Sequence, residues 1–195
     1  FIFNQIKDLE KNNDLEFIFV DDNSKDGTFE YLSNQKNKFN NIRIYKRLVD
    51  KGLSKSIKAG FLIAKGEYVV VMDTDGQHEI KTTLNLFNQI EREKLDIVIA
   101  SRFLQKSKIE NFPIMRLYFS RFGNFLSRMS LSSKYSYLSD YMSGCFILRK
   151  QSCQKYIKEM EPYGFKFLYG LLSQCDGNLK VCDLPYHFKK RRHGK

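Results

Sequence analysis

The sequence predicts a single α/β domain built on a mostly parallel, twisted sheet flanked by helices. Short runs of β-branched and apolar residues alternate with longer amphipathic segments, and two of these runs end in acidic clusters. Such alternation is typical of βαβ units, whose right-handed crossovers make neighbouring strands parallel. A chain of 195 residues without internal repeats or linkers can form one complete core, so residues 1–195 are predicted to be one domain.

Four apolar runs in the first hundred residues predict strands, because β-branched and aromatic residues favour extended backbone. The segments between them predict helices, because apolar residues three or four positions apart share one helix face. The helix that begins at Ile80 has the clearest face, formed by Leu84, Phe87 and Ile90. In chain order we expect a helix to about Asn12, strand Glu16–Val20, helix Gly27–Lys36, strand Ile42–Lys46, helix Leu53–Ala64, strand Tyr68–Met72, helix Ile80–Lys94 and strand Asp96–Ala100.

The alternation becomes less regular after Ala100. A long helix is predicted first, with aromatic, aliphatic and basic residues on most of its faces. In chain order we expect helix Pro113–Ser132, strand Cys145–Leu148, helix Gln151–Met160, helix Gly164–Gln174 and strand Leu179–Leu184. These boundaries complete the predicted secondary structure.

Positive charge exceeds negative charge and is concentrated in two segments. There are 33 lysines and arginines against 22 acidic residues, a net charge of +11. One basic segment, Arg102–Lys134, is rich in aromatic residues, and the other is the tail Lys189–Lys195. Such an excess is typical of proteins that bind nucleic acid, anionic membranes or phosphorylated substrates. No recognised nucleic-acid motif is present, so we expect no nucleic-acid partner and favour a phosphate substrate near a membrane.

Two carboxylates directly follow a strand pattern at Val69–Met72. Asp73 and Asp75 lie so close in sequence that their charges repel each other unless a cation lies between them. Mg²⁺ or Mn²⁺ fits, because these ions prefer oxygen ligands and are often held by one or two carboxylates and substrate phosphates; Gln77 can add a third oxygen. The pattern predicts a metal site for a diphosphate-linked substrate. The alternative is an ordinary Asp-Gly turn at Asp75.

A second apolar strand also ends in acidic residues. Asp21 and Asp22 follow it, and a turn that contains Ser24 leads into a helical pattern. Ligands of open α/β sheets bind beyond the carboxyl ends of the strands, so the two acidic strand ends predict one shared site. The alternative is a helix N-cap and turn, which does not require two consecutive aspartates.

The cysteines are irregularly spaced, which indicates reduced structural thiols and argues against zinc. They are Cys145, Cys153, Cys175 and Cys182. No run is long enough for a membrane span, and no signal peptide is visible. The chain starts inside a helical pattern without an initiator Met, so we expect it to be a fragment of a longer protein.

Six stretches in register resemble motifs of the family-2 glycosyltransferases, in particular those of the polyprenyl- and dolichyl-phosphate sugar synthases. Phe19–Thr28 resembles VVDDGSTDGT, Asp50–Glu67 resembles N-x-G-L…A…G…A-x-G-E, Met72–His78 resembles MDADLQH, Ala100–Phe103 resembles GSRY, Asp140–Phe146 resembles D-x-x-SGF, and Pro185–Gly194 resembles P-x-x-F-x-x-R-x-x-G. The resemblance implies the Rossmann-like GT-A fold, with a nucleotide-sugar half at 1–100 and an acceptor half at 101–195. The family's first strand has no counterpart in this chain.

The resemblance also implies a role for each matching residue. The nucleotide-sugar donor would be bound by Asp21, Asp22, Ser24, Asp73 and Arg191. Mg²⁺ or Mn²⁺ would be held by Asp73, Asp75 and Gln77. The reaction centre would contain Asp75, Arg102, Arg116 and Ser120. In the family, residues at the last three positions bind the phosphate of a lipid acceptor, and arginine suits this role because it donates paired hydrogen bonds to phosphate oxygens.

The implied reaction transfers a sugar, with inversion, from a GDP- or UDP-linked donor to a polyprenyl or dolichyl phosphate. A phosphate monoester has a second pKa of about 6, so it is already an anionic nucleophile near neutral pH. Two alternatives stay open. One is a sugar-hydroxyl acceptor in surface polysaccharide or glycan synthesis, which needs a base, and the other is a non-catalytic anion- or membrane-binding module. Arg116 could also belong to a solvated helix face.

The interleaved basic and apolar residues of Arg102–Lys134 exceed what one amphipathic helix needs against its own core. Basic residues beside exposed aromatics favour an anionic leaflet. We therefore expect a membrane surface as a partner and the cytoplasmic face of a membrane as the location, with peripheral attachment or an anchor outside this chain. The alternative is that these aromatic residues fill the domain core.

Overall fold

The computed structural model describes residues 3, 15–36, 38–39, 41–110, 113–162, 164 and 166–190. Apart from Phe3, the predicted helix to about Asn12 lies outside these ranges, as does the predicted site residue Arg191. The strands are β1 (Phe17–Asp21), β2 (Ile42–Lys46), β3 (Tyr68–Val71), β4 (Ile97–Ser101), β5 (Lys108–Ile109), β6 (Phe146–Arg149), β7 (Val181–Pro185) and β8 (His187–Phe188). The helices are α1 (Thr28–Lys36), α2 (Leu53–Ile63), α3 (Ile80–Arg92), α4 (Ile114–Ser130), α5 (Lys150–Glu159) and α6 (Phe167–Cys175), with a 3₁₀ turn at Ser133–Tyr135.

The strands confirm the α/β class but include an antiparallel member. β1 pairs in parallel with β2, and the order of the four-stranded sheet is β3-β6-β4-β7. In that sheet β4 and β7 are parallel, whereas β6 lies between β3 and β4 and is antiparallel to both. The chain reaches β6 through β5 and α4 instead of one crossover helix. The rule that makes βαβ neighbours parallel therefore does not apply to β6, which is the antiparallel member of the mostly parallel arrangement that the sequence predicts.

Apolar clusters pack on both faces of the four-stranded sheet, and β4 is buried along its whole length. Successive residues of a strand point to opposite faces. Ile97 and Ile99 accordingly pack with α5 and α6, whereas Val98 and Ala100 pack with α3. This burial makes β4 a rigid base for Ser101 and the residue that follows it.

Of the three residues in the predicted apolar face of helix α3, the core buries Ile90 but not Leu84 or Phe87. Leu86 and Ile90 are fully buried, whereas Leu84 and Phe87 are 42% and 43% exposed. The Phe87 ring instead packs edge-on against Tyr68, with ring centroids 5.5 Å apart. Leucines at neighbouring positions give this helix two overlapping apolar faces, and only the tertiary packing decides between them.

Helix α4 buries polar side chains and exposes apolar ones. Asn124 and Ser127 are buried against the rest of the domain. The exposed large side chains, here called the α4 apolar face, are Ile114, Met115, Tyr118, Phe119, Phe122, Phe125, Leu126 and Met129. These side chains do not fill the domain core. In the described part of the chain, no helix combines the length and the apolar character needed to cross a bilayer.

The two shortest strands, β5 and β8, bring the segment that follows β7 next to the segment that follows β3. β5 and β8 pair in parallel, and the sequence does not predict them, since two residues are too few to show an alternating pattern. Beyond β8, Lys189 N donates to Gln77 O at 3.0 Å, and Gln77 Nε2 donates to Lys189 O at 3.2 Å. These bonds fix the predicted metal-site segment to the end of the described chain.

Candidate active site

A cavity of about 510 Å³ opens among α2, α4, α6 and the segment that follows β3. It contains five of the predicted site residues, which come from separate parts of the chain: Asp73, Gln77, Arg102, Arg116 and Ser120. Most of the remaining wall is apolar and includes Leu53, Ile57, Phe146, Phe167 and Leu168. The acidic strand end and the basic segment thus meet at one cavity.

Asp73 lies against the backbone of Gly144. A Cβ at residue 144 would lie 2.6 Å from Asp73 Oδ2, closer than such atoms approach each other, so glycine alone leaves the carboxylate this position. The Asp73 side chain is 41% exposed, and its Oδ2 lies 3.7 Å from Nε2 of the buried His78. One side of the carboxylate is therefore fixed by the protein while the other stays accessible from the cavity.

His78 is held between aromatic rings beside Asp73. Its ring stacks on Tyr186 with centroids 5.7 Å apart and meets Phe188 edge-on at 5.5 Å. Burial disfavours the imidazolium, but the interactions with Asp73 and Cys145 outweigh burial and raise the pKa of His78 to about 9. A positively charged ring beside Asp73 stabilises negative charge at the cavity wall.

The segment after β3 offers the oxygen donors that a hard divalent cation prefers. Asp73 and Gln77 line the cavity, whereas Asp75 Oδ1 accepts a hydrogen bond from Gln77 N at 3.0 Å and tightens the turn. Gln77 donates through Nε2, so its Oε1 is the atom suited to a cation. Among the described residues no group of three His, Cys, Asp or Glu side chains could hold a metal. The donors fit Mg²⁺ or Mn²⁺ if a diphosphate completes the coordination.

Arg102 is paired inside the protein. Its Nε and Nη2 donate to Oδ2 and Oδ1 of the fully buried Asp140 at 2.7 and 2.8 Å. Burial disfavours the guanidinium charge, but Asp140 outweighs burial and raises the pKa of Arg102 further above its ordinary value. Asp140 therefore fixes the plane of the guanidinium at the cavity wall and compensates its charge.

Arg116 and Ser120 lie one helical turn apart on α4, and both line the cavity. The helix is attached to the domain by the buried amide of Asn124. Its Nδ2 donates to Ser120 O at 3.0 Å, and its Oδ1 accepts from Tyr141 N at 2.8 Å. Because Tyr141 follows Asp140, one loop fixes both the partner of Arg102 and the helix that carries Arg116.

At the end of β1 the acidic side chains are engaged by the protein itself. Asp22 accepts hydrogen bonds from Gly52 N at 2.7 Å and from Ser56 Oγ at 2.8 Å, which fixes the start of α2. Asp21 is buried, and its Oδ2 accepts from Ser24 N at 3.0 Å. None of the three predicted donor residues at this strand end lines the cavity around Asp73. The turn alternative explains the bond of Asp21, whereas Asp22 bonds to a helix distant in sequence, and the nucleotide role of these residues stays a prediction.

Comparison with known proteins identifies the family. The profile of Glycosyl transferase family 2 matches residues 2–157. The chain belongs to glycosyl transferase family 2. The dolichol-phosphate mannosyltransferase of Pyrococcus furiosus is 32% identical over 194 residues, which cover 100% of this chain and 53% of that protein. The protein of the same name from Saccharomyces cerevisiae is 32% identical over 190 residues, 92% of this chain and 67% of that protein. The chain spans about half the length of the archaeal relative.

Solved structures share the fold at low sequence identity. Glucosyl-3-phosphoglycerate synthase from Mycobacterium tuberculosis, in complex with Mn²⁺, UDP and glucosyl-3-phosphoglycerate, superposes with a TM-score of 0.72 and 14% identity over 100% of this chain and 67% of that chain. Staphylococcus aureus TarS 1–349 in complex with UDP-GlcNAc superposes with a TM-score of 0.64 and 16% identity over 100% of this chain and 56% of that chain. The predicted GT-A fold is confirmed.

Three residues of this family-2 site are not among the site residues that the sequence predicts. Lys166 immediately precedes α6 and lines the cavity together with two arginines, but it belongs to none of the six motifs. Asp140 begins the stretch that resembles D-x-x-SGF, and that motif is the signal that could have located it. His78 ends the metal-site motif, and its burial beside Asp73 is visible only in the structure.

Proposed function

We propose that this chain is the catalytic part of a glycosyltransferase that moves a sugar from a GDP- or UDP-linked donor to a polyprenyl or dolichyl phosphate. The observation that carries the proposal is the charge of the cavity. Asp73 is the one carboxylate among its described lining residues, and it shares the cavity with the basic side chains of His78, Arg102, Arg116 and Lys166. The names of the curated relatives support a lipid-phosphate acceptor, and the nucleotides bound in the solved neighbours support a nucleotide-sugar donor.

On the donor side, Mg²⁺ or Mn²⁺ would be held by Asp73, Asp75 and Gln77. When bound, such an ion neutralises charge on the leaving nucleoside diphosphate. Gly144 leaves room for the Asp73 carboxylate, and His78 fixes it from the buried side. The proposed nucleotide contacts are Asp21, Asp22, Ser24 and Arg191.

On the acceptor side, a phosphate oxygen attacks the anomeric carbon while the bond from that carbon to the nucleoside diphosphate breaks, which inverts the configuration. A phosphate monoester is already anionic near neutral pH, so the protein need not remove a proton from it. Arg102, Arg116 and Ser120 orient the acceptor, and positioning and charge compensation provide most of the catalysis.

A sugar hydroxyl is the second candidate acceptor. It would require a general base to accept its proton. The described lining residues offer Asp73 as their carboxylate, and its proposed task is metal binding. The cavity therefore favours an acceptor that is anionic before it binds. The Asp-x-Asp-x-Gln pattern with oxygen donors in place argues against a non-catalytic module.

The proposed location of the reaction is the cytoplasmic face of a membrane. Phe119 belongs to the α4 apolar face and also lines the cavity, so this surface is continuous with the proposed acceptor site. Arg121 and Arg128 are exposed on the same helix, and a basic residue near an anionic leaflet contributes about 1 kcal/mol to binding. A lipid phosphate presents its head group at that interface.

A transfer assay with paired acceptors tests the proposed function. Thermal shifts with GDP-, UDP- and dTDP-sugars in Mn²⁺ first select the donor. The radiolabelled donor is then incubated with a short polyprenyl phosphate or with the matching polyprenol. We expect glycolipid from the phosphate and none from the alcohol. Transfer to the alcohol or to a glycan hydroxyl would favour the second candidate, and a chain that no donor stabilises would favour a non-catalytic module.

A further inference from the structure

We propose that Asp183 is a positioning residue for the acceptor site, which acts through Ser139 to hold Arg102 and Asp140 in their paired orientation. The inference rests on the proposed function, in which Arg102 binds a lipid phosphate. Asp183 lies on β7, belongs to none of the six motifs and does not line the cavity. A chain of hydrogen bonds leads from its carboxylate to both neighbours of Arg102.

Ser139 joins the carboxylate of Asp183 to the end of β4. Oδ2 of Asp183 accepts two hydrogen bonds from Ser139, one from the backbone N and one from Oγ, both at 2.6 Å. Because Ser139 Oγ gives its proton to the carboxylate, the Ser101 hydroxyl, 2.6 Å away, donates to Ser139 Oγ. Ser101 Oγ in turn accepts from Phe103 N at 3.1 Å. The carboxylate at the end of the chain therefore sets the direction of every bond in it.

This chain of bonds ends on the residues that flank the paired side chains. Ser101 and Phe103 are the neighbours of Arg102, and Ser139 is the neighbour of Asp140. Ser101 and Asp140 are fully buried, so water does not readily replace a bond lost between these segments. Arg102 N also donates to Asp140 Oδ2 at 3.2 Å, which ties the two backbones together at the same place. Asp183 therefore holds both partners of the pair in register with each other.

The far end of the loop at residues 139–144 is held by other bonds. Ala100 N donates to Cys145 O at 2.9 Å, and Ser143 Oγ donates to Ala100 O at 2.7 Å. These bonds do not involve Asp183, and they hold the part of the loop where Gly144 meets Asp73. Loss of the Asp183 carboxylate should consequently disturb the acceptor side of the cavity and leave the donor side in place.

Two substitutions of Asp183 in the whole chain separate positioning from an effect of charge. Both bonds end on one oxygen, so a single amide oxygen can accept them in Asp183→Asn, whereas Asp183→Ala provides no acceptor. Calorimetry measures the binding of farnesyl phosphate, and separately that of the donor in Mn²⁺. Asp183→Ala is expected to weaken farnesyl phosphate binding, and to raise the apparent acceptor KM, by about tenfold to a hundredfold, the effect of a small displacement of a binding group. Asp183→Asn should keep most of the binding, and donor affinity should not change in either variant.

Nuclear magnetic resonance reports the orientation of Arg102 without an acceptor. Its Nε–H donates to the buried Asp140, so it should give a slowly exchanging ¹⁵N–¹H resonance that is absent from Arg102→Lys. We expect this resonance to shift or broaden in Asp183→Ala and to persist in Asp183→Asn. Asp96→Ala is the matched control, because Asp96 Oδ2 accepts from Lys180 N at 2.8 Å beside the opposite end of the β4–β7 ladder, away from the cavity. That variant should keep both the resonance and the acceptor binding.

Unchanged farnesyl phosphate binding in Asp183→Ala would overturn the inference and leave the proposed function intact. An unchanged Arg102 resonance in a variant with weakened binding would also overturn it, since Asp183 would then act by another route. Equal losses in Asp183→Asn and Asp183→Ala would indicate a charge effect, and a parallel loss of donor affinity would indicate general damage to the site; either result contradicts the inference. If the unsubstituted chain binds farnesol as tightly as farnesyl phosphate, the proposed function fails first and the inference with it.

Discussion

At the scale of single residues, the absence of a side chain at Gly144 determines where the Asp73 carboxylate lies. In Gly144→Ala the added Cβ would approach Asp73 Oδ2 to 2.6 Å, so the carboxylate must move. We expect Mn²⁺-dependent donor binding to weaken by about 10- to 100-fold, as when the surroundings of a metal ligand are disturbed. Calorimetry with Mn²⁺ and GDP or UDP measures this loss.

Gly170→Ala is the control for this substitution. An added Cβ at Gly170 meets nothing within 4 Å, and the residue lies inside α6. Because alanine favours the helix over glycine, the variant should gain about 0.5–1 kcal/mol in the free energy of unfolding and bind the donor normally. Normal donor binding in Gly144→Ala would contradict the assignment of Asp73 as a metal ligand.

A second residue-scale prediction separates acceptor binding from donor binding at Arg116. Arg116→Ala should weaken acceptor binding by about 1.5–3 kcal/mol, because a charge-assisted contact to phosphate is lost, and should leave donor affinity unchanged. Steady-state kinetics with a short-chain lipid phosphate gives the acceptor KM, and calorimetry gives the donor affinity. Arg121→Ala is the matched control, since Arg121 is an exposed arginine of α4 that does not line the cavity. Equal loss in both variants would indicate a general charge effect of the helix.

At the scale of elements, α4 is held by polar contacts and presents its apolar residues to the outside. The Asn124 amide bonds to the loop at Tyr141 and to the helix backbone, while Phe122 and Met129 are 60% and 71% exposed. An apolar surface of this kind is characteristic of interaction sites, because exposed apolar area is costly in water. Basic residues on the same helix favour an anionic lipid surface over a neutral one.

Vesicle co-sedimentation tests the role of this helix. We expect the chain to bind anionic liposomes at low salt, and the binding to fall as salt is added, because Arg121 and Arg128 contribute electrostatic attraction. Phe122→Ser combined with Met129→Ser should reduce binding at least tenfold, since full burial of each side chain contributes about 1.5–3 kcal/mol. Val49→Ser combined with Leu84→Ser removes exposed apolar residues from a loop and from α3, and should have no effect. Retention in the supernatant at low salt would exclude α4 as a membrane contact.

At the scale of the whole molecule, the proposed donor site combines the carboxyl ends of β1 and β3. We therefore expect GDP or UDP binding to depend on divalent metal and to weaken strongly in EDTA. Asp75→Asn keeps an oxygen that can accept the hydrogen bond from Gln77 N but removes the charge, whereas Asp75→Ala removes both. Loss of metal-dependent binding in both variants would support Asp75 as a ligand. Loss in Asp75→Ala alone would assign Asp75 to the turn.

The fold was predictable wherever a local pattern determines an element. The strand Ile42–Lys46 agrees with its prediction at both ends, because its β-branched residues alternate with polar ones directly after two asparagines. The direction of β6, the buried face of α3 and the pair β5–β8 were not predictable. A strand's direction depends on the path that precedes it, a helix with two apolar faces is oriented by its neighbours, and two-residue strands carry no periodicity.

The site was predictable where chemistry and a strand end coincide in the sequence. Asp73 and Gln77 line the cavity, because side chains that follow a strand lie at the carboxyl end of the sheet. The hydrogen bonds that Asp22 accepts from α2, and the place of Lys166 in the cavity wall, depend on contacts between elements distant in sequence. Composition and spacing carry no signal for such contacts.

The strands form separate hydrogen-bonded ladders, so we expect the molecule to open in stages. Hydrogen–deuterium exchange of the backbone amides measures this opening. Among the described strands β1 bonds only to β2, and most of its residues are half-buried, whereas β4 is buried throughout. Breaking the β1–β2 ladder need not disturb β4. The amides of β1 and β2 should therefore exchange much faster than those of β4. A nucleotide donor that contacts Asp21 and Asp22 should slow exchange most in β1 and β2, and equal rates in all strands would argue for a single cooperative unit. Donor binding would then stabilise a part of the fold, the β1–β2 ladder, that opens easily in the chain without ligand.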